Sequence, residues 1–301
     1  MRIGYPCMNL TLDCTSASTF RLDSYSEERL KETVKENLDC LEKILEYNVE
    51  HNLLFFRITS DLIPFASHEV CKFNWQDHFA EKLRKIGSYI KENDMRITMH
   101  PGQYTVLNSK KEGVRERAVA DLKYHSDVLD GMELDRSAKI NIHVGGVYGN
   151  KEESMERFVK TYESLEEKIK KRLVIENDEK SYTVKDCLWI SERTSIPVTV
   201  DNLHHELNNN DESLDQVLKK AKKTWKQEDG PQIVHYSSQM SDGKAGRHAE
   251  TIDLDHFKGF LEKTRPHDFD LILEVKDKEK SACRALNKIK KDNSFNLSSL
   301  D

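Results

Sequence analysis

The sequence predicts an α/β protein folded as a (β/α)8 TIM barrel, with its functional groups at the C-terminal mouth of the strands. Eight short runs rich in Val, Ile and Phe alternate with amphipathic segments long enough for helices. No Pro/Gly/Ser-rich linker divides the 301 residues, and α/β barrels of roughly 250 residues fold as one unit. Six of the eight runs end in His, Asp or Glu, which in a barrel would bring those side chains to a single mouth. An open doubly wound sheet is the competing architecture.

The strands are expected near 2–6, 53–59, 96–100, 139–144, 172–176, 197–201, 232–236 and 269–275. Between the first two, Leu30, Val34, Leu38, Leu41 and Leu45 recur at spacings of four and three, the signature of one buried helix face. Further helices are expected at about 75–92, 112–130, 151–171, 183–193, 213–226, 255–263 and 277–291, with Asn74 and Asp255 as N-caps. Residues 1–291 therefore read as a single domain, and 292–301 (DNSFNLSSLD) as a flexible tail.

Composition narrows the function. No apolar run approaches the ~18 residues of a membrane span, and the start MRIGYPCMNLTLDC lacks the apolar stretch of a secretory signal. A cytoplasmic monomer is the expectation, its six scattered cysteines reduced because none forms a C-x-x-C pair. No P-loop or dinucleotide fingerprint appears, so no nucleotide cofactor is expected.

The chemistry is concentrated at the strand ends ITMHPGQY, INIHVGG, LVIEND, VTVDNLHH, IVHYSSQ and LILEV. Their terminal residues are His100, His143, Glu176, Asp201, His235 and Glu274. One polar residue at a strand end is ordinarily satisfied by backbone or water. Six unpaired imidazoles and carboxylates in one crater would be costly, and metal binding is the simplest compensation. Strands three to five bring His100, His143 and Glu176 together; strands five to eight bring Glu176, Asp201, His235 and Glu274 together. Glu176 belongs to both arcs and is the natural bridge. His204 and His248 form a further pair beyond strands six and seven. Two or three divalent ions are implied, and mixed imidazole and carboxylate donors suit Zn, Mn or Fe better than Mg. His51, His78, His125, His205, His256 and His267 have no companion spacing that marks them as ligands.

The formal charge of −6 argues at first against a nucleic-acid partner. Net charge describes a surface average, however, and several bound divalent cations would make one cleft strongly positive. The basic runs at 219–227 and 284–291 read as solvated helix faces, while Lys244 and Arg247 stand in a loop that could meet a phosphate backbone.

At these residues the chain resembles the UV damage endonucleases. The resemblance rests on HPGQY (100–104), NIHVGG (141–146), END (176–178), DNLHH (201–205), HYSS (235–238), GRH (246–248) and LILEV (271–275), with IGYPCMN (3–9) and RITSDLIPFASH (57–68). It implies a barrel related to the apurinic endonucleases of the trinuclear-metal type. His100, His143 and Glu176 would hold one ion, Glu176, Asp201, His235 and Glu274 a second, and His204 with His248 a third. Manganese is the ion it favours, with zinc or cobalt as alternatives. The implied reaction is hydrolysis of the phosphodiester 5′ to a lesion (pyrimidine dimers, photoproducts and abasic sites) in duplex DNA, initiating excision repair. Gln103 and Tyr104 would wedge into the distorted duplex, Tyr5 and Asn9 would contact the damaged strand, and His68 would lie near the cluster in a supporting role. Extruding damaged bases costs less than unstacking intact ones, which gives selectivity for damage.

Two positions depart from that pattern. Gly246 stands, two residues before His248, where the apurinic enzymes place an Asp that also holds the third ion, which implies a loosely held third ion here. Ile233 stands where members of the damage family can carry a modified lysine. A metal-dependent sugar isomerase of the xylose-isomerase-like class would explain the six ligands, but not the Gln103–Tyr104 pair or the His204–His248 pair. A lesion-binding module without catalysis is a third reading.

Overall fold

The computed structural model describes residues 1–291, so the tail expected at 292–301 lies outside the described residues. The strands are β1 (Ile3–Pro6), β2 (Phe55–Ile58), β3 (Arg96–Met99), β4 (Lys139–His143), β5 (Leu173–Glu176), β6 (Val198–Asp201), β7 (Gln232–Tyr236) and β8 (Phe269–Leu273). They follow one another in a closed parallel barrel, and β8 returns to β1 through Ile3↔Leu271 and Gly4↔Ile272. Closure rules out the open sheet, which would leave two edges. At Gly4 the approach to β2 is so close that an added Cβ would fall 1.4 Å from the Phe55 carbonyl oxygen.

The first crossover carries α1 (Glu27–Glu50), capped by the Ser26 side chain, which accepts the Arg29 N–H at 3.2 Å. The five-residue apolar stripe read from the sequence is wholly buried against the barrel. The remaining helices are α2 (Trp75–His78), α3 (Ala80–Glu92), α4 (Glu112–Gly131), α5 (Lys151–Glu163), α6 (Glu167–Lys170), α7 (Val184–Thr194), α8 (Asn202–Leu207), α9 (Leu214–Lys222), α10 (Leu254–Thr264) and α11 (Glu279–Lys290).

Several boundaries differ from the expectation. The helix expected at 75–92 breaks at Phe79, and that at 151–171 divides into α5 and α6. Asn74 caps α2 as expected, but α10 is capped by Asp253 rather than Asp255. The Asp253 carboxylate accepts N–H groups of both Asp255 and His256, so the helix starts earlier. Cys14 and Cys40 are joined by a disulfide, tying the loop after β1 to α1; the other four cysteines are free. Folding brings together two thiols 26 residues apart, which no local motif announces.

Side chains on alternate strand positions fill the barrel interior. Arg57 of β2 reaches His235 of β7, and Arg96 of β3 reaches Asp270 of β8. These strands are not neighbours in the ring, so the contacts cross its interior. Three layers result. The base is ionic, with Arg96, Lys139 and Asp270 closed off by Asp229 from the turn before β7. An apolar patch of Phe55, Ile233 and Ile272 lies above it. The mouth carries the imidazoles and carboxylates.

Candidate metal centre and active site

Parallel register sets the mouth. His143 pairs with Glu176 across β4 and β5, and Asp201 with His235 across β6 and β7, so each pair arrives side by side. His100 and Glu274 each stand one residue beyond their strands. Two groups of donor atoms result, each within 4.8 Å of one another: His100, His143 and Glu176, and then Glu176, Asp201 and His235. Glu176 is common to both. Its Oε1 accepts from His235 Nδ1 at 2.9 Å, while its Oε2 lies 3.8 Å from His100 Nε2 and accepts from Asn141 Nδ2.

Hydrogen bonds outside the centre orient the rings. His100 Nδ1 donates to the Pro101 carbonyl at 2.8 Å, and His204 Nδ1 donates to the Asn177 carbonyl at 3.0 Å. In the neutral form of either ring Nε2 is then the nitrogen left with its lone pair, the tautomer a metal requires. The sequence reading did not anticipate α8, which begins directly after β6. Asp201 caps it, with Oδ1 accepting the His204 N–H at 2.8 Å, and this carries His204 back over the mouth.

Burial dominates the electrostatics. It pushes the Asp201 carboxyl up and holds the His143 ring below its ordinary value. Burial would also raise Glu176, but His235 and His143 outweigh it and hold that carboxyl well below the usual range. His204 shows the reverse balance: burial disfavours its charge, yet Asp201 and Glu176 lift it to about 9.

The donor set fits divalent ions. Asp201 Oδ2 and His143 Nδ1 are buried without a hydrogen-bond partner, a cost of about 1–3 kcal/mol for each such group that a bound cation would remove. Imidazole and carboxylate donors without thiolate suit borderline ions such as Mn, Zn, Co or Fe.

Glu274 is less closely gathered. It lies 3.4 Å from His235 Nδ1, but its strongest partner is Arg57, whose guanidinium donates to Oε1 at 2.5 Å and to His235 Nε2 at 3.0 Å. Burial would raise Glu274, and Arg57 more than offsets it, holding the carboxyl well below its ordinary range. An ion held by His235 and Glu274 would replace these Arg57 contacts. Arg57 opens the stretch RITSDLIPFASH, but nothing in that motif assigns it a place in the centre, although a lone basic residue inside LLFFRI was a signal. Asn141 opens NIHVGG, two residues before His143 on the same strand face, and its hydrogen bond to Glu176 is likewise assigned by no motif. His248 is 4.0 Å from Glu274 Oε2, and its ring stands 6.4 Å from that of His204.

The expected DNA-contacting residues separate into two sets. Gln103 and Tyr104 lie exposed on the loop after β3, with Tyr104 80% accessible. Tyr148, on the loop after β4, is a further exposed rim aromatic, braced by Arg157 at 5.6 Å from its ring. Tyr5 does not reach the rim. It is fully buried, its hydroxyl donating to Asn48 of α1 at 2.7 Å and accepting from Asn9 at 2.9 Å. A ring without accessible surface offers DNA no face in this conformation. Asn9 is also buried, and its Oδ1 accepts the N–H groups of Thr11 and Leu12. Both residues shape the loop after β1. His68 sits exposed on the loop after β2, accepting the Val70 N–H and meeting Phe65 edge-on, and it joins neither donor group. Lys244 and Arg247 are exposed on the loop that carries His248.

The model of the family described as UV-endonuclease UvdE matches residues 1–299. The chain belongs to that family. Among its relatives, the UV DNA damage endonuclease of Clostridium perfringens (strain 13 / Type A) is 42% identical over 295 residues, 97% of this chain and 72% of that protein. The UV DNA damage endonuclease of Bacillus cereus (strain G9842) is 36% identical over 299 residues, covering 96% and 94% of the two chains. The crystal structure of SacUVDE superposes with a TM-score of 0.94 at 48% identity, covering 98% of this chain and all of that one. Endonuclease IV from Thermus thermophilus, at 17% identity and TM-score 0.58 over 83% and 93% of the chains, shares the fold. So does D-psicose 3-epimerase from Clostridium cellulolyticum H10, at 12% identity and 0.55 over 84% and 92%. These likenesses at low identity carry the barrel alone, so the sugar-isomerase alternative is not favoured over the UV-endonuclease family.

Proposed function

We propose that this UV-endonuclease family member is a metal-dependent enzyme that cuts duplex DNA on the 5′ side of a damaged base. The observation that carries this reading is the pair of donor groups sharing Glu176 at the barrel mouth, in a chain matched over nearly its whole length by endonucleases. His100, His143 and Glu176 would hold one ion; Glu176, Asp201, His235 and Glu274 a second; His204 and His248 a third. Manganese is the first candidate, with zinc or cobalt as alternatives. Divalent ions bound there would supply positive charge to the phosphate and leaving oxygens and would acidify the attacking water.

The chain's own groups do the rest. Glu176, kept ionised beside His235, is the shared carboxylate on which both donor groups depend. The Asn177 and Pro101 carbonyls keep the ligand nitrogens of His204 and His100 aimed inward. No Ser, Cys or His is needed as a covalent nucleophile. At the rim, Gln103 and Tyr104 would enter the gap opened by distorted bases, where a helix of undamaged DNA has none. No described helix is long and apolar enough to cross a membrane.

An irradiated, end-labelled duplex incubated with the protein and each divalent metal in turn tests this reading. A nick immediately 5′ to the lesion, appearing only with metal, is expected. Tight binding without cutting under every metal would leave a lesion-binding module instead. Gln103→Ala and Tyr104→Ala are each expected to weaken binding to damaged duplex by ~1–3 kcal/mol, the worth of a base stack, with metal content unchanged. Equal losses on damaged and undamaged DNA would reduce the two to general contacts.

A further inference from the structure

We infer that Glu179, on the loop after β5, is the carboxylate ligand that joins His204 and His248 around the third ion, in place of the one absent at Gly246. This rests on reading the mouth as a metal centre and adds a residue that no motif marks.

Gly246 has a φ of +84°, and a Cβ built there would meet Glu179 Cγ at 2.9 Å. The volume next to residue 246 is therefore already filled by an acidic side chain from another loop. That side chain is directed at a ligand. Glu179 Oε2 lies 4.0 Å from His204 Nε2, too far for a hydrogen bond. Two donors each about 2.0–2.2 Å from one ion can stand up to roughly 4.3 Å apart, so the spacing suits a shared cation. His204 Nε2 is the nitrogen free to take it, because Nδ1 donates to the Asn177 carbonyl.

The loop is built to leave Glu179 available. The neighbouring Asp178 carboxylate accepts the N–H groups of Lys180, Ser181 and Tyr182, so it is consumed in holding the turn. Asn208, just beyond α8, donates to the Asp178 carbonyl at 2.9 Å and ties the loop to the helix carrying His204. Glu179 Oε1 pairs with Lys180, whose side chain is 78% accessible, and Oε2 is the oxygen turned inward. His248, whose ring stands 6.4 Å from that of His204, is held on its loop by the bridge between its own backbone and Gln239. The departure at Gly246 thus reads as a carboxylate moved from one loop to another. Gly246→Asp alone should therefore not tighten the ion, since the new side chain would collide with Glu179.

Titrating metal-depleted protein with MnCl2, followed by calorimetry and elemental analysis, tests this. Wild type is expected to bind three ions. Glu179→Gln should weaken one of them by more than about 10-fold, the lower end for losing even supporting groups of a metal site, and leave the other two unchanged. The exchange variant Glu179→Ala/Gly246→Asp vacates one position and fills the other, and should recover most of the loss; Glu179→Ala alone should not. Unchanged circular dichroism confirms that the loop variants fold. Identical Mn2+ isotherms for wild type and Glu179→Gln, or only two ions in wild type, overturn the inference. In either case loss of metal from Glu176→Gln still upholds the metal-centre reading, whereas no Mn2+ bound by any form overturns both.

Discussion

Glu176→Gln is expected to abolish measurable incision, lowering the rate by about three orders of magnitude, and to reduce bound metal by at least one ion. Losing roughly 4 kcal/mol of transition-state stabilisation corresponds to that factor. The side chain is 1% accessible and belongs to both donor groups, so neutralising it disturbs two coordination spheres. Glutamine preserves shape, and its oxygen can still accept from Asn141 or His235, but not with a full charge. The metal-free variant should still fold, because glutamine leaves no void, but it should melt below metal-free wild type, since His235 and His143 lose the carboxylate they hold ionised. Unchanged metal content together with normal incision would defeat the shared-ligand assignment.

The largest effect on stability is expected at the opposite end of the barrel, from Asp229→Asn. Lys139 is fully buried, and its Nζ donates to Asp229 Oδ1 at 2.5 Å and to the Lys171 carbonyl at 2.8 Å. Asp229 also accepts from Arg136 Nε at 2.8 Å, and its backbone carbonyl accepts from Arg96 at 2.8 Å. Breaking a buried pair by removing one charge costs about 3–5 kcal/mol, because the other charge stays buried alone. The pH dependence is distinctive. Burial pushes Lys139 down to about 8 despite Asp229. Burial would raise Asp229, but Lys139 holds it below its ordinary value.

Asp229 therefore contributes stability above the unfolded carboxylate range, near ~3.9, and that contribution is lost as pH falls through its lower folded value. Lys139 has the opposite sign to a surface-paired lysine. From about 8 upward the unfolded chain holds this proton more tightly, so stability rises with pH until the unfolded lysine also titrates, near ~10.4. Without Asp229 the lysine loses its proton at still lower pH. The deficit of Asp229→Asn should thus be largest near pH ~6 and smaller near pH ~9 in urea melts. A deficit under ~1 kcal/mol at the lower pH, or one that grows with pH, would mean that the pair is not held as a buried charge pair.

Much of the mouth was legible because strands report their inner face at a fixed period. Val, Ile and Leu runs ending in a polar residue located His143, Glu176, Asp201 and His235 at the ends of β4 to β7, and a parallel barrel needs no further information to bring strand ends together. Arg57 and Asn141 were less visible, since one polar residue inside an apolar run is ordinarily read as noise. The burial of Tyr5 was not legible for a related reason: a motif match carries identity but not exposure, and burial against Asn48 of α1 depends on a helix more than 40 residues away.

By itself the sequence determined the eight-fold alternation, the apolar stripe of α1 and the ligand types at the mouth. These follow from local periodicities, 2 for strands and 3.6 for helices, which need no knowledge of neighbours. Only the tertiary structure decided what depends on which loops meet. It joined Cys14 to Cys40, set Arg57 against Glu274, closed the base with Asp229 and put Glu179 beside His204. Each of these contacts links segments separated along the chain, and their partners are chosen by barrel closure and loop packing, for which a single sequence carries no periodic signal.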